Sequence, residues 1–456
     1  MTRGSDARWM MAAVAAVLAS CGGGPTCPSS EQARTELASL AAGGTMTIDG
    51  ACVLSGSFVV PAGATLHGGT FSLAAGDRIT LTPSAMDAPA TTLESVHVVG
   101  GSSGSSVRVE GAGHARISQI TLDVQRGYAI VVSGSSVAID HVTVQGALDV
   151  AHIVDLGIPA PASANLSYGI VAIQGASIDV TTGDFSGIAD AAVMCIDSSI
   201  GLSSLTIEDS RGVGVAGFAC AVRAADLDIH GMIAAGTLPG TGIGLFEGST
   251  LVAGDRLSIH DEPGYGVLAD RSAVTLTDPT ISGLGIAGVW VEDGDGLTLH
   301  GGTFEGNRGI AISAIGVASV DIRGTHVTST ANGPIPTMGG LGTATMADAL
   351  HVVQRTRGVP IDVMLGDLVL SENARVGLVL DGGGDPLALA VSGTMVSTSG
   401  TELGAIAQNV ASLPASWDSG ITRAGPAMTL DHGAAPLVVS DGVGTLGILM
   451  PPTIMF

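Results

Sequence analysis

Along most of this chain, apolar and polar residues alternate one for one in short runs that end at Gly, Asp, Asn or Ser. Alternation with period two predicts short strands buried on one face, and the terminators predict tight turns. The run "DLDIHG" (226–231) shows the pattern: Leu227 and Ile229 turn inward, while Asp226, Asp228 and His230 point outward from the same strand. One stretch differs. "SSEQARTELASLAAGG" (29–44) carries a capping box from Ser29 to Gln32 and sets Ala33, Leu37 and Leu40 on one helical face. It predicts a short helix. Nowhere else is there a run of helical period long enough for a helical repeat.

The strands recur. Aligning the end of each unit gives anchors at Phe71, Val98, Leu122, Val144, Phe185, Ile207, Ile229, Ile259, Ile281, Phe304, Val327, Leu370 and Val396, mostly 22–24 residues apart. The longer steps look like one unit plus an inserted loop. A second block recurs inside the same units, as "YGIVAI" (168–173), "GIGLFE" (242–247), "YGVLAD" (265–270), "GVWVED" (288–293) and "GLVLDG" (377–382). A repeat of this length, with three short strands and no helix, predicts a parallel β-helix whose coils stack about 4.8 Å apart. Thirteen anchors give a stack on the order of 60 Å.

The chain from about residue 45 resembles the right-handed parallel β-helix (pectate-lyase-like) superfamily. "GTMTIDGACVLSGSFVVPAGATLHGG" (44–69) is similar to that superfamily's opening coil. The fold expected is therefore all-β: a single-stranded right-handed parallel β-helix, a solenoid, with an N-terminal capping α-helix over its open first coil. The β-helix would span 45–425, with loop insertions near 146–169, 231–242 and 331–348. Residues 426–456 would form a terminal coil or C-terminal cap. Such insertions either shape a groove or are tolerated surface excursions.

At the N-terminus, Arg3 and Arg8 precede "WMMAAVAAVLAS", too short an apolar run to span a bilayer, and then Cys21. Residues 1–20 read as a signal peptide. Leu18-Ala19-Ser20-Cys21 resembles the bacterial lipobox, which implies cleavage before Cys21 and a lipid on its sulfur. Segment 21–44 would then hold the lipidated Cys21, a tether and the capping helix. The localisation expected is the cell envelope, lipid-anchored, at the outer membrane, and the membrane is the first partner.

Charge narrows the ligands. The chain has a net charge of −24, 13% charged residues and no Lys. A polyanion repels nucleic acid, so that partner is excluded, and an acidic polysaccharide would need a bridging divalent cation. Aromatics make up 3%, which is few for a sugar site that stacks pyranose faces on rings. Once Cys21 is set aside, four cysteines remain in an exported chain, an even number compatible with disulfides. The local pairings are Cys27 with Cys52, which would pin the helix to the first strand, and Cys195 with Cys220. The second pair stands 25 residues apart against a coil of 22, about three out of register, and its bridging stays open.

Stacking the units places outward residues in columns. One reads Thr206, Asp228, Ser258, Thr280, Thr303 and His326; the next reads Glu208, His230, His260, Ser282 and Glu305; a third reads Ser204, Asp226, Arg256 and Asp278. Glu208, Asp226, Asp228, His230, Arg256 and His260 thus gather on one outer face. Asp226 and Asp228 could bind Ca²⁺. Asp228, Glu208, His230, His260 and Arg256 could act on a uronic-acid-containing polysaccharide, as a lyase or a glycoside hydrolase. The plainer alternative is that outward positions must be polar and some are charged by chance. Polygalacturonase-type motifs are missing. Of the pectate-lyase Trp-Ile-Asp-His run only Ile139-Asp140-His141 is present, a fragment common wherever a strand leads outward. No zinc-protease or paired Cys-x-x-Cys motif occurs. The expected function is accordingly non-catalytic: a surface-displayed lipoprotein that binds a glycan or a protein through its outer sheet, or serves a structural role. The polysaccharide lyase or hydrolase is the rival.

Overall fold

In the computed structural model, residues 27–100, 104–123, 127–146, 167–234, 239–336, 343–354, 361–382, 389–401, 403–408, 421–423 and 427–429 are described. Cys21, Trp417, most of the insertion 146–169 and the segment 430–456 lie outside them.

Among the described residues the strands form two sheets, one of 23 strands and one of 16, parallel throughout except at Gly333–Pro336. Each turn of the chain contributes one strand to the second sheet and then a pair, or one long bent strand, to the first. Ala221–His230 is such a bent strand. Its first half pairs with Thr250–Ala253 and its second half with Leu257–His260. The coil is therefore three-sided, and the fold is a parallel β-helix.

Three corners per coil are needed, and single left-handed residues make them. One corner uses Asp197, Ala219, Glu247, Arg271 and Asp293; a second uses Ser204, Asp226, Arg256 and Asp278; a third uses Asp209, Gly231, Asp261 and Gly283, all at positive φ. A left-handed L-residue costs roughly 1–2 kcal/mol, least for Gly, Asn and Asp. The frequency of Asp at these positions is thus a demand of the coil, and part of the chain's negative charge is structural. This also corrects the reading of Asp226. With φ 53°, it sits at the bend and drops out of the pairing that joins Ala225 to Ser203 and Leu227 to Leu205. It does not share the strand face of Asp228 and His230.

Behind the third corner a second, buried ladder runs along the stack. The Ser210 hydroxyl accepts from Ile188 N, the Glu262 carboxyl from Met232 N, the Asn307 amide oxygen from Leu284 N and that of Asn373 from Thr330 N. The corner takes these amides out of the regular strand ladder, and the side chain of the next coil satisfies each one.

Inward residues form one continuous core from Met46 to Ala407, with Phe71, Phe185, Ile229 and Phe304 among its fully buried members. The predicted anchors pair in order from Phe71–Val98 to Val327–Leu370. The last step differs: Leu370 pairs with Thr398, and Val396 pairs with Leu368. A slip of two keeps the same face inward, so alternation could not detect it. Thr398 is buried although polar.

The helix Ser30–Ala38 has the capping box, with Gln32 N donating to Ser29 Oγ and Ser29 N to Gln32 Oε1. It buries Ala33 and Leu37 in the same core as Phe58. Cys27 is bridged to Cys52, with Cα atoms 5.4 Å apart. Cys195 is bridged to Cys220 as well, at 5.9 Å. Cys195 pairs in register with Gly217, and the three further residues turn the corner at Ala219, which returns Cys220 to the core beside it. Part of the third insertion is ordinary structure: Gly333–Pro336 pairs antiparallel with the start of Thr343–Val353.

Candidate functional site

The two outward columns of the first sheet are in register as expected. Thr206, Asp228, Ser258, Thr280, Thr303 and His326 are successive partners, and so are Glu208, His230, His260, Ser282 and Glu305. In-register pairing brings His230 and His260 face to face, 4.8 Å between ring centroids and 3° between planes. Asp228 lies between them, Oδ2 at 3.5 Å from His230 Nδ1 and Oδ1 at 3.5 Å from His260 Nε2. Glu208 Oε2 stands 3.5 Å from His230 Nε2, and Asp261 Oδ2 3.0 Å from His260 Nδ1. Asp228, His230 and His260 are half-buried, and Glu208 and Asp261 are exposed.

The predicted set divides at the corner. Glu208, Asp228, His230 and His260 come together. Arg256 instead pairs with Asp226 at 3.3 Å, and Ser204 Oγ donates to the same carboxylate at 2.9 Å. Asp226 therefore has its own partners, whereas the groups around Asp228 are imidazoles, not a second carboxylate. A paired-carboxylate Ca²⁺ site at Asp226 and Asp228 is poorly served by this arrangement, because a cation there would compete with Arg256.

Other expectations fall into place as structure. Ile139-Asp140-His141 is a corner: His141 has φ 53°, and its Nδ1 lies 2.8 Å from Asp140. The Thr181 hydroxyl bond and His141 hold the Asp140 carboxyl below its usual range. The aromatic side chains Tyr265 and Trp290 are buried against each other on the outer side of the second sheet. That side is apolar elsewhere too, with Tyr128 stacked on Tyr168 and Phe218 on Phe246. These rings are not platforms for the polar face.

Two acidic groups were missed. Glu262 is buried behind the third corner, two residues beyond His260. Burial pushes its carboxyl up to about 8, Asp261 adds to the rise, and the bond from Met232 N opposes it. The second is a buried cluster on Thr343–Val353. Arg375 Nε donates to Asp348 Oδ1 at 2.8 Å, its Nη2 reaches Oδ2, Val376 N donates to Oδ1 at 3.2 Å, and His351 Nε2 meets Oδ2 at 2.6 Å. Burial alone would raise Asp348, but His351 and Arg375 outweigh it and hold the carboxyl below its usual range. The available signal was an Asp and a His three apart on a strand, in columns where Asp348 stands between Ile310 and Val376 and His351 between Ser313 and Val379. It was hidden because Asp348 closes an insertion and Arg375 lies outside any repeat block.

The fold defines the class: this is a parallel β-helix protein. No known protein family matches the chain, and no curated protein does. Among solved structures it is similar to a mutant tailspike protein of E. coli bacteriophage HK620 in complex with a hexasaccharide. The identity is 9% over 90% of this chain and 75% of that one, with a TM-score of 0.40. It is also similar to the catalytic unit of a GH87 alpha-1,3-glucanase from Streptomyces thermodiastaticus (15%, 89% and 67%, TM-score 0.35). A third is the A-module of the Azotobacter vinelandii mannuronan C-5 epimerase AlgE6 (14%, 90% and 96%, TM-score 0.31). Likeness at this level says nothing about activity.

Proposed function

We propose that this protein is a non-catalytic, exported β-helix that holds a neutral polysaccharide against the outer face of its first sheet. The observation that carries this reading is the pair of in-register columns, in which every coil from Thr206 and Glu208 to Thr303 and Glu305 presents two polar groups drawn from hydroxyls, carboxylates and imidazoles. A repeating, aromatic-free polar face suits a hydrated polymer better than a protein partner, whose interfaces centre on apolar and aromatic side chains. Asp228 faces two imidazoles and Asp226 is paired with Arg256. The sequence supports the rest: residues 1–20 as the export signal, Cys21 as the lipid-bearing residue, the outer membrane as destination, and the helix Ser30–Ala38 as the lid of the first coil.

The test is a panel of neutral and uronic-acid polysaccharides, with and without Ca²⁺. Binding is read by co-sedimentation, and turnover by reducing ends and by absorbance of unsaturated ends. Binding without turnover, weakened by Thr280→Arg, is expected. Turnover that disappears in Asp228→Ala would establish the lyase or hydrolase instead. Release of the protein from membranes by Cys21→Ser tests the anchor.

A further inference from the structure

We propose that Asp228, His230 and His260 form a binding site for a first-row divalent transition-metal ion, zinc above all. A tetrahedral zinc ion with bonds of about 2.0–2.1 Å needs its ligand atoms roughly 3.4 Å apart. The separations from Asp228 Oδ2 to His230 Nδ1 and from Asp228 Oδ1 to His260 Nε2 are both 3.5 Å, one carboxylate oxygen to each ring. That is long for a good N–H···O hydrogen bond and close to the edge of a coordination tetrahedron. One ligand atom from each of the three residues can be chosen so that all lie within 4.8 Å of one another.

The far nitrogens matter as much. A metal-bound imidazole is held in its tautomer by a carboxylate or carbonyl on its other nitrogen. Asp261 stands on His260 Nδ1 at hydrogen-bond distance, 3.0 Å, and Glu208 lies on the same far side of His230, 3.5 Å from Nε2. Each carboxylate leaves the nitrogen that faces Asp228 to supply a lone pair. A separate observation points the same way: Asp228 Oδ1 and His230 Nδ1 are shielded from solvent and have no hydrogen-bond partner. Leaving such atoms unsatisfied is costly, and an ion between them would satisfy both.

Two imidazoles and one carboxylate favour zinc, nickel or copper over calcium or magnesium. Three protein ligands leave a fourth position for water or a ligand oxygen. The Asp226 carboxylate, held by Arg256 and Ser204, takes no part. The site does not depend on the polysaccharide reading, because metal binding is measured with no glycan present.

The test is calorimetric titration of the metal-stripped full chain with Zn²⁺, with Co²⁺ absorption as a reporter of geometry. One Zn²⁺ per chain is expected, removed by EDTA, with a four-coordinate Co²⁺ band. His260→Gln and Asp228→Asn should each weaken binding at least about tenfold, Glu208→Gln by a smaller factor, and Asp226→Asn not at all. Far-UV circular dichroism confirms that each variant is folded. As a second readout, Zn²⁺ should raise the Tm of the wild-type chain. No stoichiometric Zn²⁺ binding overturns the proposal. So does binding that is unchanged in the His230→Ala/His260→Ala double variant, or Ca²⁺ displacing Zn²⁺ at equal concentration.

Discussion

His230 and His260 lie one rung apart, stacked with 4.8 Å between ring centroids, and they share the carboxylate of Asp228. The centroid separation equals the rung spacing of a parallel sheet. The stack therefore follows from registry: side chains on successive coils must face one another, whatever their chemistry. The same registry that builds this group also sets the stability of the corners and of the buried polar ladder.

Glu262 makes stability depend on pH. Its carboxyl is raised from 4.5 to about 8 by burial, so between those values the folded chain binds a proton that the unfolded chain has released. Stability therefore falls as pH rises through this window, and the loss is complete above about 8. At about 1.4 kcal/mol per unit it is on the order of 5 kcal/mol. Glu262→Gln keeps an acceptor for Met232 N and should abolish this slope, with a higher Tm than wild type at pH 8. Equal slopes in the two proteins would refute the assignment.

Arg375→Met should be among the most damaging single changes. It leaves Asp348 charged and buried with its bidentate partner gone, a loss of roughly 3–5 kcal/mol. Asp348→Leu combined with Arg375→Met should recover much of it. Thermal unfolding of the three variants decides this. The lowered Asp348 carboxyl adds a second pH effect: its stabilisation is present above the unfolded value and disappears as pH falls through the folded one.

Asn307→Ala removes the acceptor of Leu284 N and the donor to Ile281 O. With both groups buried, the expected cost is about 1–3 kcal/mol. The Leu284 amide should lose hydrogen-exchange protection more than its neighbours do. Unchanged protection there would contradict the ladder.

Arg256 occupies a left-handed corner, φ 65°, with a largely exposed side chain. Arg256→Gly should raise stability by about 1 kcal/mol, because the exposed ion pair to Asp226 that it gives up is worth little. Arg256→Val should lower it. Urea midpoints of the two variants moving in the same direction would refute the corner.

The columns through Asp228 and His230 were readable because alternation fixes which side chains face outward and the 22-residue period fixes which of them stack. Alternation is blind to a step of two, which is how Val396 was matched to Leu370 in place of Leu368. It is also blind to a bend inside a strand, which is how Asp226 was placed beside Asp228. The Cys195–Cys220 bridge stayed open for a similar reason. Counting residues gave a misfit of three, and the turn at Ala219 absorbs it.

By itself, then, the sequence determined the parallel β-helix, its core residues and the composition of its polar face, because these follow from local periodicity repeated along the chain. Only the tertiary structure decided the contacts among those residues. Asp228 was given to two imidazoles and Asp226 to Arg256, Glu262 was buried behind a corner, and Asp348 was joined to His351 and Arg375. Such pairings depend on backbone direction at single left-handed residues and on where insertions return to the coil. Neither leaves a periodic mark in the chain.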